Sequence, residues 1–210
     1  MPLIRKDAAT TANTEPASAS RADLKSSNSE TRWSAARQLG QEPSNVGALG
    51  EALAIEPDSR VREALFTALA HIRTPEAVEF ILPHIRSQDA SVRAAALDAL
   101  SIIPQAVESH ITELLADPDP DVRILACEVV RRLPELTATR YLCDLLTREM
   151  EANVCGAAIE ALSEVGDQTA LPVLEDCAMR FESEPFLVFS IKAVATQIAG
   201  DASMRGPKVS

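Results

Sequence analysis

The sequence predicts an all-α protein: a right-handed α-solenoid of about five helix-turn-helix repeats followed by a terminal helix. Three observations lead to this prediction: the composition, a short motif that recurs along the chain, and an aliphatic stripe after each copy of the motif. Hydrophobic residues make up 46% of the 210 residues, but aromatic residues make up only 3%. The core must therefore be built from Ala, Leu, Val and Ile, which suits closely packed helices.

The recurring motif is Asp-x-x-Val-Arg, which occurs three times in full and three times in weaker form. Its fifth position, called the marker position below, is occupied in the six copies by Arg32, Arg62, Arg93, Arg123, Cys155 and Val188. Such even spacing indicates a structural repeat. The residue that opens each copy is usually Asp or Asn, which favours a helix start, because its side chain accepts hydrogen bonds from unpaired N–H groups of the first turn.

An aliphatic stripe with the period of a buried helix face begins at the valine of each motif. In the second repeat the stripe consists of Val61, Ala64, Leu65, Ala68, Leu69 and Ile72. A break follows near Pro75, Pro104, Pro134 or Gly166, and a second apolar pattern starts after it. Neither helix of such a pair can bury its stripe alone, so neighbouring repeats must stack.

The repeats occupy residues 28–198, and the flanking segments lack the aliphatic stripe. Residues 1–27 are rich in Ala, Ser and Thr. Since they would bury little apolar surface, we expect a disordered N-terminal tail. Residues 199–210 contain two glycines and a proline, and we expect a flexible C-terminal tail there.

The first repeat departs from the stripe, since Ser34 and Gln38 stand where later repeats have apolar residues. A polar outer face is typical of a terminal repeat, because it prevents the stack from continuing into another molecule. Trp33 lies in the same helix, and we expect it to cover the open end of the core.

The motif with its Ala- and Leu-rich stripe resembles HEAT repeats of armadillo-type fold, in particular the short type first associated with phycobilisome lyases. The resemblance covers residues 28–198. In that family the marker arginine and the cap aspartate of successive repeats pair along the stack. The resemblance therefore implies a structural ladder of Asp58, Arg62, Asp89, Arg93, Asp119 and Arg123, which should end at Cys155 and Val188.

The net charge of the chain is −11, from 31 acidic and 20 basic residues. The resulting field repels nucleic-acid phosphates and anionic lipid headgroups. We therefore expect a protein partner with a basic surface, and neither nucleic acid nor a membrane. Second helices usually line the concave side of a right-handed solenoid, and here they carry the larger acidic excess. We predict a partner-binding acidic strip of Glu79, Glu108, Glu113, Asp144, Glu175 and Asp176; a solvated face that only maintains solubility is the alternative.

The sequence indicates a cytoplasmic protein. No apolar run approaches the roughly 20 residues of a membrane span, and none of signal-peptide length follows Arg5 and Lys6. The four cysteines are Cys127, Cys143, Cys155 and Cys177. Because they include no Cys-x-x-Cys pair, we expect reduced, packed thiols rather than disulfides or metal ligands.

Neither a catalytic site nor a cofactor or metal site is predicted. Metal-dependent hydroxylases of this repeat class use paired His-Glu motifs, whereas isoleucine follows each of His71, His84 and His110. The predicted function is a non-catalytic protein–protein interaction scaffold or adaptor, with regulation of a bacterial signalling or enzyme complex as the narrower expectation. The resemblance also implies an alternative: a bilin-lyase-like or chaperone-like subunit that acts on a client protein. In that case Cys143, Cys155 or Cys177 would contact the chromophore.

Overall fold

The computed structural model describes residues 19–205, and the side chains of residues 19–200. Within residues 19–205 the structure contains helices and no strand. The α-helices are α1 (Ser29–Leu39), α2 (Val46–Ile55), α3 (Ser59–Ile72), α4 (Pro75–Ile81), α5 (Ala90–Ile102), α6 (Pro104–Leu114), α7 (Pro120–Val130), α8 (Glu135–Leu146), α9 (Ala152–Val165), α10 (Leu171–Arg180) and α11 (Pro185–Arg205). Short 3₁₀-helices precede α1, α2 and α10 and extend α4.

These helices pair into five helix-turn-helix repeats, from α1–α2 to α9–α10, and α11 follows as a terminal helix. The first helices of the repeats form one layer, in which each of α1, α3, α5, α7, α9 and α11 packs against the next. The second helices α2, α4, α6, α8 and α10 lie in the other layer, where α2 contacts α4, α4 contacts α6 and α8 contacts α10. The prediction of an α-solenoid with about five repeats and a terminal helix is confirmed.

The aliphatic stripes form the core between the two layers. All six stripe residues of the second repeat, Val61 to Ile72, are buried, and Leu65 and Leu69 are fully so. Every repeat contributes to one continuous hydrophobic cluster that extends from Leu24 to Ile198. Since each repeat buries its stripe against its neighbours, stability accumulates along the stack rather than within one repeat.

The motif's opening residue caps the helix that follows it. The carboxylate of Asp58 accepts hydrogen bonds from the backbone N–H groups of Arg60 and Val61, at 3.0 and 3.2 Å. Asn28, Asp89 and Asp119 each accept one from the residue two positions later. These contacts satisfy N–H groups that a helix cannot pair internally, and they fix where each first helix begins.

The predicted N-terminal boundary requires a correction, because ordered structure begins before residue 28. Residues Arg21–Lys25 form a 3₁₀-helix that packs on α1 and α2. Leu24 is buried there, and the Arg21 guanidinium donates hydrogen bonds to the Asn45 side chain and the Ser44 carbonyl. One apolar side chain and these hydrogen bonds therefore anchor a segment that composition alone assigns to a tail. Residues 1–18 of the predicted tail lie outside the described residues.

The C-terminal boundary is also different from the prediction. Helix α11 continues to Arg205, beyond the predicted end of the repeats at residue 198. The continuation contains Ala, Met and Arg, which are good helix formers. Residues 206–210 lie outside the described part of the chain.

Trp33 is half-buried and packs against the core, and its role in covering the open end of the stack stays a prediction. The guanidinium groups of Arg37 and Arg60 lie 4.7 and 4.4 Å from the centroid of its ring. Arg60 belongs to α3, so the Trp33 ring also contacts the second repeat. Leu24 packs against the first repeat as well, because the 3₁₀-helix before α1 contacts both α1 and α2.

Candidate functional site

The layer of second helices has an unusual charge distribution. Helices α2, α4, α6, α8 and α10 carry nine carboxylates but only two arginines, Arg140 and Arg180, and no lysine. The first helices α1, α3, α5, α7 and α9 carry seven carboxylates and six arginines. The negative charge of the repeats is therefore concentrated on one layer of the solenoid.

All six residues of the predicted acidic strip lie on second helices: Glu79 on α4, Glu108 and Glu113 on α6, Asp144 on α8, and Glu175 and Asp176 on α10. Five of them are exposed, and Glu108 is half-buried. Glu79 lies beside the following repeat, where its Oε1 is 3.2 Å from Nε2 of His110. The structure thus places the six side chains on one layer, while their role in binding stays a prediction.

Three further exposed carboxylates on this layer are absent from the predicted strip: Glu51 on α2, Glu76 on α4 and Glu135 on α8. Glu51 was missed because the first repeat was treated only as a cap. A search for acids in the second apolar pattern of every repeat would have found all three residues.

Three large apolar side chains are also exposed on the second helices. Ile55 on α2, Leu136 on α8 and Met179 on α10 are 78%, 76% and 66% exposed. Single apolar residues on a protein surface are common, but here they lie among carboxylates on the same helices. The combination suits a basic segment that carries apolar side chains of its own.

A cavity of about 1100 Å³ lies at the N-terminal end of this layer. Small and apolar side chains of α2 line it, including Ala48, Ala52 and Ile55. Three acids, Glu51, Glu56 and Glu76, and three bases, Arg21, Lys25 and Arg32, also line it. The cavity therefore has no excess of negative charge.

The marker residues form a regular structural network. Five of the six donate a hydrogen bond to the backbone carbonyl six residues before them: Arg32 to Ser26, Arg62 to Glu56, Arg93 to Ser87, Arg123 to Asp117, and the Cys155 thiol to Glu149. The side chain of the sixth, Val188, has no donor. The distances are 2.7 to 3.2 Å for the arginines and 3.9 Å for the cysteine sulfur. The marker residue therefore fixes the turn that precedes its own helix.

The predicted ion pairs between marker arginines and cap aspartates are wrong in detail. Arg32 donates two hydrogen bonds of 2.8 Å to Glu56, and Arg123 binds Glu149 through two nitrogens at 2.7 and 3.1 Å. Both acids lie two residues before the cap of the next repeat, and Asp117, in the equivalent position, pairs with Arg86. The carboxylates of the cap residues Asp58, Asp89 and Asp119 instead accept hydrogen bonds from backbone N–H groups of the helices that they cap.

The cap carboxylate of Asp89 still interacts with the charge of the marker arginine Arg62. The pKa of Asp89 is lowered, mainly because the Ser91 side chain and N–H donate to its carboxylate, and the charge of Arg62 adds to the effect. The ladder of Asp58, Arg62, Asp89, Arg93, Asp119 and Arg123 therefore consists of caps and turn-fixing arginines rather than direct pairs. We keep its structural assignment as a proposal.

The position two residues before each cap is the feature that the sequence motif missed. Its side chain accepts a hydrogen bond from the backbone N–H of the cap residue in every repeat: Ser26, Glu56, Ser87, Asp117 and Glu149 are the acceptors. Ser, Asp and Glu share only an acceptor oxygen. Extending the motif two residues toward the N-terminus would have shown this recurrence.

Burial and hydrogen bonding have opposite effects on the pKa values of Glu56 and Glu149. Burial raises the pKa of Glu149, but hydrogen bonds from Arg123 and from the N–H groups of Glu151 and Met150 outweigh it, so the net pKa is lowered. Hydrogen bonds from Arg32 lower the pKa of Glu56 in the same way and exceed the effect of burial. Both acids are therefore charged at neutral pH and bind the preceding repeat.

The three histidines have different surroundings. His71 is exposed, and His110 faces Glu79. His84 is half-buried with its ring edge-on to Phe66, and burial and the charge of Arg62 lower its pKa. Among the described residues, no group of three or more His, Cys, Asp or Glu side chains is arranged to hold a metal ion.

Two of the cysteines are poor nucleophiles. Burial, with a contribution from Glu128, raises the pKa of Cys127 to about 12. Burial and the charges of Asp167 and Asp144 raise the pKa of half-buried Cys143 to about 11. Since the thiolate is the reactive form, neither thiol is activated at neutral pH.

No helix within residues 19–205 has the combined length and apolar character that spanning a membrane requires.

Comparisons with known proteins agree with the repeat architecture. The family model for HEAT repeats matches residues 17–101 and 107–183. Protein YibA of Escherichia coli K12 is 26% identical over 141 residues, which are 66% of this chain and 49% of YibA. YibA of Escherichia coli O157:H7 matches equally well, so the chain spans about half the length of these curated relatives.

Solved structures of repeat proteins are also similar. A designed armadillo repeat protein is 17% identical with a TM-score of 0.42, and the match covers 85% of this chain and 98% of that protein. The complex of CpcE and CpcF of phycocyanin lyase from Nostoc sp. PCC7120 is 17% identical with a TM-score of 0.40, covering 94% of this chain and 100% of the matched chain. Neither similarity identifies a function.

Proposed function

From its membership of the HEAT-repeat family, to which this chain belongs, we propose that it is a non-catalytic scaffold or adaptor that binds a basic protein segment on its second helices. One observation carries the proposal: nine carboxylates against two arginines on that layer. One of the two, Arg180, already donates to the carbonyls of Leu146 and Thr147 at the end of α8. Arg140 is exposed beside Tyr141, with its guanidinium 4.8 Å from the ring centroid.

A row of exposed carboxylates attracts a basic partner over a long range and fixes its orientation on contact. Each exposed ion pair by itself adds little affinity. Most of the binding energy must then come from buried apolar anchors. Ile55, Leu136 and Met179 support this proposal, because they are exposed apolar side chains on the same helices as the acids. The preferred partner is therefore a basic segment with apolar side chains, either a helix or a loop.

The narrower role, regulation of a bacterial signalling or enzyme complex, remains part of this proposal. The alternative role as a bilin-lyase-like or chaperone-like subunit stays a prediction, as does a cytoplasmic location. A surface that serves only solubility would carry the same charges, so the experiment must separate charge from position.

Charge reversal at matched positions makes this separation. One variant carries Glu113→Lys, Asp144→Lys and Glu175→Lys on second helices. The control carries Glu63→Lys, Asp98→Lys and Glu160→Lys on first helices, where all three acids are exposed. Both variants have the same net charge, and circular dichroism checks that both are folded.

The tagged proteins are used for affinity capture from the native cell, and captured proteins are identified by mass spectrometry. Binding of each purified candidate is then measured by calorimetry. We expect the first-helix variant to bind the partner like the unmodified protein, and the second-helix variant to bind at least about tenfold more weakly. Equal binding by both variants would rule out the acidic surface as the interface.

A further inference from the structure

The cavity at the N-terminal end of the second-helix layer has an apolar wall. Ala48, Ala52 and Ile55 line it, and their spacing of four and three residues places them on one face of α2. The Ile55 side chain is 78% exposed within this concave surface. Concave apolar surfaces with a few charged groups are typical of binding sites, so this wall favours a ligand with apolar side chains.

Half of the charged groups that line the cavity are already hydrogen-bonded. Arg32 and Glu56 bind each other through two hydrogen bonds of 2.8 Å, so their charges cancel. The Arg21 guanidinium donates to two neutral acceptors, the Asn45 side chain and the Ser44 carbonyl. Arg21 therefore leaves positive charge on the side of the cavity that the 3₁₀-helix forms.

The remaining charged groups are exposed and unpaired. Glu51 lies on α2, Glu76 lies on α4, and Lys25 lies in the 3₁₀-helix before α1. None of the three forms an ion pair within residues 19–200. The cavity thus offers two acids on the second helices and positive charge on the 3₁₀-helix, although it carries no excess charge.

The first residues of the chain have matching chemistry. All large apolar residues and all bases among residues 1–18 lie in the first six positions: Met1, Leu3, Ile4, Arg5 and Lys6. Asp7 follows directly. Residues 8–18 consist of Ala, Thr, Asn, Ser and Pro with one Glu. Two apolar residues, two bases and one acid therefore follow each other from residue 3 to residue 7.

The connection to the cavity is long enough for this segment to reach it. The N–H of Ala19 donates to the Gln38 side chain on α1 at 3.1 Å, and Arg21 already lines the cavity. Fourteen residues separate Lys6 from Arg21. At roughly 3.3–3.6 Å per residue, a fully extended chain of this length spans about 50 Å. Helix α2 has 10 residues and is therefore about 15 Å long, so the segment can reach any point along it.

We propose that residues 1–7 bind the cavity on α2 of the same chain. Leu3 and Ile4 cover the apolar wall, the two bases lie against the unpaired acids, and Asp7 lies against Lys25. Both signs of charge are then matched. Because the segment is tethered, its effective concentration is on the order of 1 mM, so a contact of modest affinity is sufficient. This favours the same chain over a second copy as the source of the segment.

The contact has a consequence for the second-helix layer. It covers the first two repeats with a segment that is basic and apolar, the chemistry that we propose for an external partner. In the clause that rests on the proposed function, the segment competes with that partner for Glu51 and Glu76. The contact itself does not require an external partner.

The test uses the full 210-residue protein and a carbodiimide without added amine, which joins an amine only to a carboxylate in contact with it. Unlabelled and isotope-labelled protein are mixed in equal amounts, and the digest is examined by mass spectrometry. We expect Lys6 to be linked to Glu51 or Glu76, with both parts of the linked peptide carrying the same isotope. Lys192 on α11 is the control amine and should link to neither acid.

Variants of the segment test the apolar contact. Leu3→Asp with Ile4→Asp should lower the yield of the Lys6 cross-link about tenfold, because the burial of two aliphatic side chains is lost. Ala9→Asp with Ala12→Asp adds the same charge outside the segment and should leave the yield nearly unchanged.

A second pair of variants tests the wall of the cavity. Ile55→Ser on α2 should lower the yield several-fold, whereas Leu136→Ser on α8 should not. The two side chains are 78% and 76% exposed, so neither substitution removes core packing. Circular dichroism checks that all variants are folded.

Three results would overturn the proposal. Linked peptides of mixed isotope would show that the segment binds a second copy of the chain. Links from Lys6 to acids of both layers in equal yield would show that it has no defined site. Equal yields from the variant at Leu3 and Ile4 and from its control would exclude the apolar contact. Since no partner is present, these results are independent of the capture experiment on the proposed function.

Discussion

Glu149 shows how one side chain can join two repeats. Its carboxylate accepts hydrogen bonds from Arg123 in the fourth repeat and from the N–H groups of Met150 and Glu151 at the start of the fifth. The Glu149 side chain is 6% exposed and that of Arg123 is 13% exposed. Arg60 and Glu30 also join two repeats through an ion pair of 2.7 Å, but about 60% of each side chain is exposed. Because solvent screens the exposed pair, the two ion pairs should contribute very unequally to the free energy of unfolding.

Double-mutant cycles test this inequality. The cycle of Arg123→Ala and Glu149→Ala should give a coupling free energy of about 1.5–3 kcal/mol, as for hydrogen bonds between charged groups that are shielded from water. The cycle of Arg60→Ala and Glu30→Ala should give a much smaller value. Free energies of unfolding from urea titrations supply both cycles, and equal couplings would disprove a special role for the buried pair.

At the scale of the element, the spacing between helices depends on small residues at their contacts. A Cβ added to Gly50 on α2 would lie 2.1 Å from Cγ of Phe80 on α4, far inside van der Waals contact. A Cβ added to Gly47, on the same helix, would meet no atom within 4 Å. Helix α2 thus contains one glycine that the packing of α4 requires and another that it does not.

Alanine substitutions in α2 should therefore have opposite effects. Gly50→Ala forces the Phe80 ring to move and should lower the free energy of unfolding by about 1–3 kcal/mol. Gly47→Ala adds no clash and reduces the freedom of the unfolded chain, so it should raise that free energy by about 0.5–1 kcal/mol. Thermal unfolding followed by calorimetry checks both, and a stabilising Gly50→Ala would contradict the close contact of α2 with α4.

At the scale of the whole molecule, the sequence predicted the repeats well. The stripe from Val61 to Ile72 identified its buried face correctly, because a helix that packs on one side must repeat apolar residues with its own period. The 3₁₀-helix before α1 was missed, since a single residue, Leu24, provides its apolar contact and leaves no periodic pattern. The partner of Arg123 was also missed, because sequence spacing alone does not show which of two nearby acids faces the arginine.

The candidate surface was only partly predictable from the sequence. Acids such as Glu113 and Asp144 could be assigned to second helices from their place in the repeat. Ile55, Leu136 and Met179 could not be recognised as exposed, because an apolar residue in a helical pattern usually belongs to the core. Their exposure depends on the rotation of each helix within the stack, which several neighbouring contacts determine together.

Carboxylate labelling of the complex with the captured partner tests the central claim, that the second helices form the binding surface. A carbodiimide and an amine modify exposed carboxylates, and mass spectrometry measures the modification of each residue with and without the partner. We predict protection of Glu113, Asp144 and Glu175 on the second helices, with unchanged labelling of Glu63, Asp98 and Glu160 on the first helices. Protection of the first-helix acids, with the second-helix acids still labelled, would contradict the claim.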